Sequence, residues 1–241
     1  MIIEGKNSVR ELLSSNRNVE KLYVEKNNSN HELVELTQKA RAKKIPVSFV
    51  DKFVLDKNSA TKRHQGILAI TGEFTYDTLE NVFYQSKSAG KPLFLLILDG
   101  IEDPHNLGSI IRVGECCGVS GIAIPKHRAV GVTDTVAKIS QGAIEHVSVA
   151  KVTNINDSIR WLKDNYVTVF CADMDGENIF NANLTGDIAI VIGGENTGVK
   201  PLTRKLCDGA ISLPQFGKIN SLNASVATGA ILYEAIRQRT K

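Results

Sequence analysis

Over residues 1–75, helical and strand spacings of apolar positions alternate along the chain. The pattern predicts helices over Asn7–Ser15, Glu32–Lys43 and Lys52–Lys57, and strands over Lys21–Glu25, Pro46–Val50 and Gly66–Thr71. Together these make a small α/β sandwich. Tyr76–Ala89 can place Leu79, Val82 and Phe83 on one helical face, and its polar end Ser86–Gly90 has the chemistry of a linker. From Pro92 the pattern changes to short, nearly continuous apolar runs at Leu93–Leu98, Ile122–Ile124, Val147–Val149, Val167–Cys171, Ile188–Ile192 and Ala210–Leu213, followed by glycine and helical spacing. Strands buried on both faces have this unbroken character, so a parallel sheet covered by helices is expected, with any ligand at the carboxyl ends of the strands. The chain closes on a predicted helix, Asn223–Arg239. Its first half is rich in small residues (Ala224, Ala227, Gly229, Ala230), which lets a neighbour approach its backbone. The expected organisation is therefore a domain over 1–75, a linker over 76–90 and a second domain over 91–241.

Composition narrows the class without naming it. The 241 residues are 42% hydrophobic and 23% charged, which excludes disorder, collagen and coiled coil as overall descriptions. The longest apolar run, Leu93–Leu98, falls far short of the ~20 residues that span a bilayer, and the N-terminus lacks the apolar stretch of a secretory signal. A soluble cytoplasmic protein without a membrane partner is expected. Cys116, Cys117, Cys171 and Cys207 contain no C-x-x-C pair and suggest buried free thiols, neither a disulfide framework nor a zinc site. His31, His64, His105, His127 and His146 are scattered without ligand spacing, so no metal is expected. The net charge of +3 is unevenly divided: residues 1–72 hold 13 Lys/Arg against 8 Asp/Glu, whereas residues 91–241 hold 15 of each. Glycine divides the other way, with 4 in residues 1–90 and 15 beyond them, so two units of different local chemistry follow.

Three segments carry candidate chemistry. In the first, Leu98–Val119, a strand turns through Asp103-Pro104 into a helix near Asn106, where the asparagine fits an N-cap. Arg112 follows among Ile110, Ile111 and Val113, where it either pairs with a carboxylate such as Glu115 or recognises an anion such as RNA phosphate. The second, Ile188–Val199, opens a strand into Gly193, Gly194 and Gly198 with Glu195 beside them. It satisfies neither the P-loop nor the dinucleotide fingerprint, which leaves a glycine turn or a bare backbone able to approach a flat or polar ligand. The third, Ile211–Ser225, brings Ser221, Asn223 and Ser225 to a helix N-terminus, where outward N–H groups favour anions or lone pairs.

In this order the three segments resemble the three motifs of the SpoU/TrmH family of RNA ribose 2′-O-methyltransferases: Asn106, Gly108, Arg112 and Glu115; then Gly193 to Gly198; then Leu213-Pro214 through Ser221-Leu222-Asn223 to Ser225. The resemblance covers residues 91–241. The N-terminal opening and its basic α/β unit resemble the ribosomal-protein-like RNA-binding domain fused to many members, most like the branch that methylates a guanosine of large-subunit (23S) ribosomal RNA. The resemblance implies a C-terminal trefoil knot, S-adenosylmethionine as cofactor, and a homodimer with the active site at its interface. It places the cofactor on the strand end at Ala172, on Gly193 and Gly194, on Ile211, Leu213 and Pro214, and on Leu222 and Ala224. Gly194 departs from the bulkier small residue of many relatives, a departure expected to be tolerated.

Carried over in the same way, Asn106, Arg112, Glu195, Ser221 and Asn223 form the catalytic set. Family proposals make the motif-one arginine a base. A guanidinium with pKa above ~12 is better suited to clamping a phosphate and stabilising a developing alkoxide, with Asn106, Ser221 and Asn223 orienting the nucleotide and Glu195 holding Arg112 or the loop. Lys39, Arg41, Lys43, Lys44, Lys62 and Arg63, in a stretch of 8 basic and 2 acidic residues, are the candidate RNA contacts, a solvated surface helix being the alternative. Three other readings stay open: a ribose methyltransferase acting on tRNA or on a different ribosomal nucleotide, a non-catalytic RNA-binding or ribosome-assembly protein on the same fold, and a nicotinamide oxidoreductase, which the missing fingerprint disfavours.

Overall fold

A computed structural model describes residues 1–195, 197–218 and 221–240; Asn196, Ile219 and Asn220, within the second and third motifs, and Lys241 lie outside the described residues. The chain divides into two compact units, Met1–Thr75 with Val132–His146, and Tyr76–Gly131 with Val147–Lys241.

The first unit opens with β1 (Ile2–Glu4), α1 (Lys6–Ser14), β2 (Val19–Glu25), α2 (His31–Ala42), β3 (Val47–Val50), α3 (Lys52–Asn58) and β4 (Ile67–Thr71). Its sheet has the order β1-β4-β2-β3, with β4 antiparallel to both neighbours and β2 parallel to β3. Each predicted element is present within two residues of its expected ends. β1 is an addition, because three residues are too few to show a period. α2 starts where the Asn30 side chain accepts from the Glu32 N–H, and it carries Glu32 in its first turn and Lys39 and Arg41 in its last, matching the helix dipole at both ends.

The second unit runs α4 (Leu79–Ser88), β5 (Phe94–Asp99), α5 (Pro104–Cys116) and β6 (Gly121–Pro125). After α6 (Asp134–Ile139) come β7 (Val149–Val152), α7 (Ile155–Asp164), β8 (Thr168–Asn178), β9 (Ile188–Gly193), α8 (Pro201–Leu206), β10 (Gly209–Ser212) and α9 (Ala224–Arg239). The six-stranded sheet, in the order β10-β8-β9-β5-β6-β7, is parallel throughout, as the apolar runs predict. The expected strand at Val147–Val149 is displaced to Val149–Val152, where Ala150 stands opposite Ala123 of β6. β8 extends to Asn178 because its polar end pairs with β10 beyond a register shift at Ala210/Ile211.

Two expectations about organisation change. Residues 76–90 are not a linker: Leu79, Val82 and Phe83 of α4 are buried in one core with Leu95, Ile97, Ala123 and Val169, so the chain passes between units at residue 75. Residues 132–146 leave the second unit and join the first, although the sequence places them inside the second domain. There Ile2 N–H donates to Asp134 Oδ1 at 2.9 Å, Arg17 pairs with Glu145 at 3.0 Å, and the buried Lys138 ammonium donates to the carbonyls of Arg63 (2.8 Å) and Glu4 (3.3 Å). Burial lowers the Lys138 pKa, and its two carbonyl partners are what keep an ammonium tolerable there. Among the described residues, no helix is long and apolar enough to cross a membrane.

In a chain cut to residues 76–241, the segment 132–146 loses its packing partners. Its amides should exchange with solvent as an unstructured loop while those of β5 and β9 stay protected. Native-like protection of Asp134–Ile139 in the shortened chain would contradict its place in the first unit.

Candidate active site

The carboxyl edge of the parallel sheet brings the glycine segment against the end of β5. Asp99 stands opposite Gly193, and Gly194 N–H donates to the Asp99 carbonyl at 3.0 Å. A Cβ on Gly193 would stand 2.1 Å from the Gly198 carbonyl carbon, and one on Gly194 would stand 2.4 Å from the Gly100 carbonyl oxygen. Backbone therefore fills the space that side chains would need, and at Gly194 this chain has no room for a side chain.

Behind this loop lies an anchor that the sequence does not reveal. The Asp99 side chain is 1% exposed and accepts from Lys200 Nζ at 2.6 Å and from Lys200 N–H at 3.4 Å, with Thr203 Oγ1 3.2 Å away. Lys200 and Thr203 lead into and occupy α8, so one buried carboxylate ties β5 to the far end of the glycine loop. The near-miss of Val199-Lys200-Pro201 to a P-loop is thus explained: this lysine serves an internal carboxylate.

α5 begins three residues earlier than a cap at Asn106 implies. Asp103 is its cap, accepting from the His105 N–H at 2.9 Å, and Pro104 occupies the first turn, where a missing N–H costs nothing. Asn106 is therefore not a cap, and its buried side chain turns to other partners. It donates to Glu195 Oε1, while Asn223 Nδ2 donates to Asn106 Oδ1 at 2.9 Å and to Glu195 Oε1 at 3.0 Å. Asn223 Oδ1 also caps α9, accepting from the N–H groups of Ser225 (3.0 Å) and Val226 (3.3 Å). One residue from each motif thus meets at a single carboxylate. α9 packs on α5, with Gly229 facing Val113, which is the close approach that its small residues predict.

Arg112 stands apart from this joint. It is exposed on α5, and among the described residues it forms no ion pair, either with Glu115 or with Glu195. The expectation that Glu195 holds Arg112 is corrected to its alternative: Glu195 holds the loop, through Asn106 and Asn223.

A cleft of about 910 Å³ opens beside the joint, within the range of small-molecule sites. All eight residues expected at the cofactor, from Ala172 to Ala224, line it, as do Glu195 and Ser221. Asn106 and Asn223 do not line it; they hold Glu195, which does. Sequence reasoning misses the charged wall opposite, where Arg204 of α8 faces Asp173 at 3.3 Å. A six-residue helix is too short to be visible as a period, and it brings Arg204 to Asp173, midway along β8. The half-buried Cys207 thiol, which donates to the Thr203 carbonyl at 3.2 Å, is held above the ordinary range by the neighbouring Cys171 thiol and by partial burial, and burial pushes Cys117 up to about 11. Neither thiol is primed as a nucleophile. Cys116 is exposed, unlike the buried thiols expected. Among the described residues, no group of three His, Cys, Asp or Glu is placed to hold a metal ion.

In the first unit all six candidate RNA contacts are exposed, but they form two groups. Lys39, Arg41, Lys43 and Lys44 stand at the C-terminal end of α2, with Lys39 paired to Glu35 at 2.8 Å and the Arg41 guanidinium 5.8 Å from the centre of the Phe49 ring. Lys62 and Arg63 lie on the loop leading to Gly66, which packs against Leu33 in the first turn of α2. From Leu33 to Arg41 the helix rises about 12 Å.

Residues 93–233 match the SpoU rRNA Methylase family, and residues 2–77 match the RNA 2′-O ribose methyltransferase substrate-binding family. A Bacillus subtilis (strain 168) protein, YacO, assigned to the TrmH family of tRNA/rRNA methyltransferases, is 40% identical over 98% of this chain and 94% of its own. A Staphylococcus aureus (strain COL) protein assigned to the same family is 40% identical over 99% of this chain and 96% of its own. Among solved structures, the SpoU methyltransferase AviRb of Streptomyces viridochromogenes, in complex with AdoMet, aligns over 100% of this chain and 91% of its own with a TM-score of 0.85. At 22% identity that likeness speaks for the fold.

Replacing Lys200 by Met would leave the buried Asp99 carboxylate without its ammonium partner, and denaturant unfolding should show a loss of about 3 kcal/mol. Asp99→Ala removes the buried charge itself and leaves Thr203 its second acceptor, Asn156 Oδ1 at 3.0 Å, so it should cost about 1–2 kcal/mol. A smaller loss for Lys200→Met than for Asp99→Ala would contradict an anchor centred on a charged, buried carboxylate.

Proposed function

The chain belongs to the SpoU rRNA methylase family, and from that premise we propose that it transfers a methyl group from S-adenosylmethionine to the ribose 2′-hydroxyl of a guanosine in large-subunit ribosomal RNA. The observation that carries this reading is the joint at Glu195, which draws the three motifs to the lip of one cleft. The RNA 2′-O ribose substrate-binding match over residues 2–77 supports the ribose target, and the rRNA description of the matched family supports the choice of RNA.

The cleft fits the cofactor. Its glycine wall offers bare backbone to a flat base and its sides are apolar at Ile211, Leu213 and Leu222. S-adenosylmethionine, when bound, supplies an electrophilic methyl group on a positively charged sulfur. The protein must then hold a ribose hydroxyl in line and ease the loss of its proton. Ser221, exposed at the lip of the cleft, can hydrogen-bond the ribose. Asn106 and Asn223 fix Glu195 and the entry of α9, so that the lip keeps its shape as the nucleotide arrives. Arg112, with no carboxylate partner among the described residues, presents its fork to the phosphate beside the target and to the charge that develops on the attacking oxygen.

Arg112 takes no part in the joint of its own chain, which supports a homodimer. On α9, Val226 (56% exposed), Ala230 and Tyr233 (59% exposed) form a stripe at i, i+4 and i+7 on the helix that packs against α5. A second copy covering this stripe would also cover the arginine's face. The trefoil threading belongs to the same proposal, since α9 follows the segment Leu213–Ser221 and packs on both α5 and β9. The exposed cations of the first unit supply affinity for the RNA backbone.

Arg112→Lys should leave S-adenosylmethionine affinity within about twofold while methyl transfer falls about 10²–10³-fold; a fully active lysine variant would sink both roles of the arginine. Tyr233→Glu should shift the protein to monomer in sedimentation analysis and abolish transfer, and an active monomer would contradict a site completed by a second copy.

A further inference from the structure

Apart from the catalytic set, the sequence assigns RNA contacts to the first unit, yet the second unit carries a basic loop of its own at the edge where the cleft opens. Lys126, His127 and Arg128 follow β6 directly and all three are exposed. The register aligns Ile97 with Ala123, which places Pro125 level with Asp99, itself opposite Gly193. The loop therefore leaves the sheet on the same edge as the glycine segment, two strands away, a spacing of about 10 Å.

Two contacts hold it there. Lys126 N–H donates to the Val152 carbonyl at 2.9 Å, and Val130 N–H donates to the Ile101 carbonyl at 2.9 Å, five residues before Asn106. Between these pins Arg128 adopts a left-handed conformation, with φ of 56°. A third cation, Lys151 of β7, comes to the same place. Its ammonium lies 4.0 Å from the centre of the Tyr76 ring and 4.0 Å from where a Cβ on Gly131 would stand. Among the described residues, Lys126 and Arg128 form no ion pair, in contrast to Lys6, Lys39, Lys87 and Lys163, which all do.

We propose that Lys126 and Arg128, with Lys151 beside them, bind the phosphodiester backbone of the RNA strand next to the target nucleotide. This rests on the reading of the protein as an RNA methyltransferase. Two exposed cations pinned to the segment that leads into α5 match a polyanion, and they match it where the strand must pass to present a ribose to the cleft. The first unit then supplies affinity and selection, and this loop supplies local placement.

The test uses the full chain with Lys126→Gln and Arg128→Gln together, and with the charge-keeping pair Lys126→Arg and Arg128→Lys. RNA affinity is measured over a series of salt concentrations, alongside S-adenosylmethionine affinity and melting temperature. The glutamine pair should flatten the slope of log Kd against log salt by about 1.4–1.8, from 0.7–0.9 per phosphate contact, and lower kcat/KM for RNA, with cofactor affinity and melting temperature unchanged. The charge-keeping pair should retain the slope. An unchanged slope in the glutamine pair, with RNA binding by the parent protein intact, would overturn the placement of the strand on this loop. Failure of the parent protein to bind RNA at all would overturn the functional reading beneath it.

Discussion

One carboxylate holds three distant parts of the chain together. Glu195 accepts hydrogen bonds from Asn106 at the start of α5 and from Asn223 at the start of α9, and those two asparagines bond each other. The triangle ties the glycine loop to the starts of α5 and α9, and Asn223 within it also caps α9. Hydrogen bonds to a charged acceptor are stronger than neutral ones, and breaking one leaves a buried amide such as that of Asn106 unsatisfied. Asn106 is the buried member of the triangle, and Glu195 and Asn223 are exposed. The joint therefore fixes one desolvated amide at the lip of the cleft, which suits a reaction in which positioning is most of what the protein provides.

Backbone contact does the rest. Gly193 and Gly194 let the loop lie against Gly198 and Gly100 at distances that no side chain allows, and Asp99 fastens the far end of that loop through Lys200 and Thr203. A cleft built in this way presents N–H and C=O groups along its glycine wall, and its charged lining residues are Asp173, Asp175, Glu195 and Arg204. Arg112 of α5 and the exposed α9 residues Val226, Ala230 and Tyr233 do not line the cleft.

Much of this can be read in the amino-acid pattern, for identifiable reasons. Unbroken apolar runs mark the parallel strands because burial on both faces leaves no polar position, and the eight residues expected at the cofactor line one cleft because they sit at strand ends and loop turns that the sheet gathers on one edge. What escapes such a reading has equally specific causes. The passage of residues 132–146 into the first unit depends on tertiary partners such as Glu4 and Arg63, which leave no periodicity. α4 resembles a linker because its polar end hides a buried face. Asn106 resembles a cap because Asp103-Pro104 looks like a turn, although that pair is itself a strong helix start. Lys200 resembles part of a failed phosphate loop until its partner, Asp99, is placed beside it, 101 residues away.

Two units of different chemistry thus serve one reaction: a first unit with exposed cations for an RNA chain, and a second with a glycine-walled cleft whose lip is fixed by Glu195. That reaction is open to a single experiment. The purified protein is given S-adenosylmethionine labelled in the methyl group, together with unmodified large-subunit ribosomal RNA or, separately, tRNA, and the label is then mapped to a nucleotide and an atom. Label should appear on the ribose 2′-oxygen of a single guanosine of the ribosomal RNA, and none on tRNA. Label on a base, or on tRNA alone, would contradict the assignment.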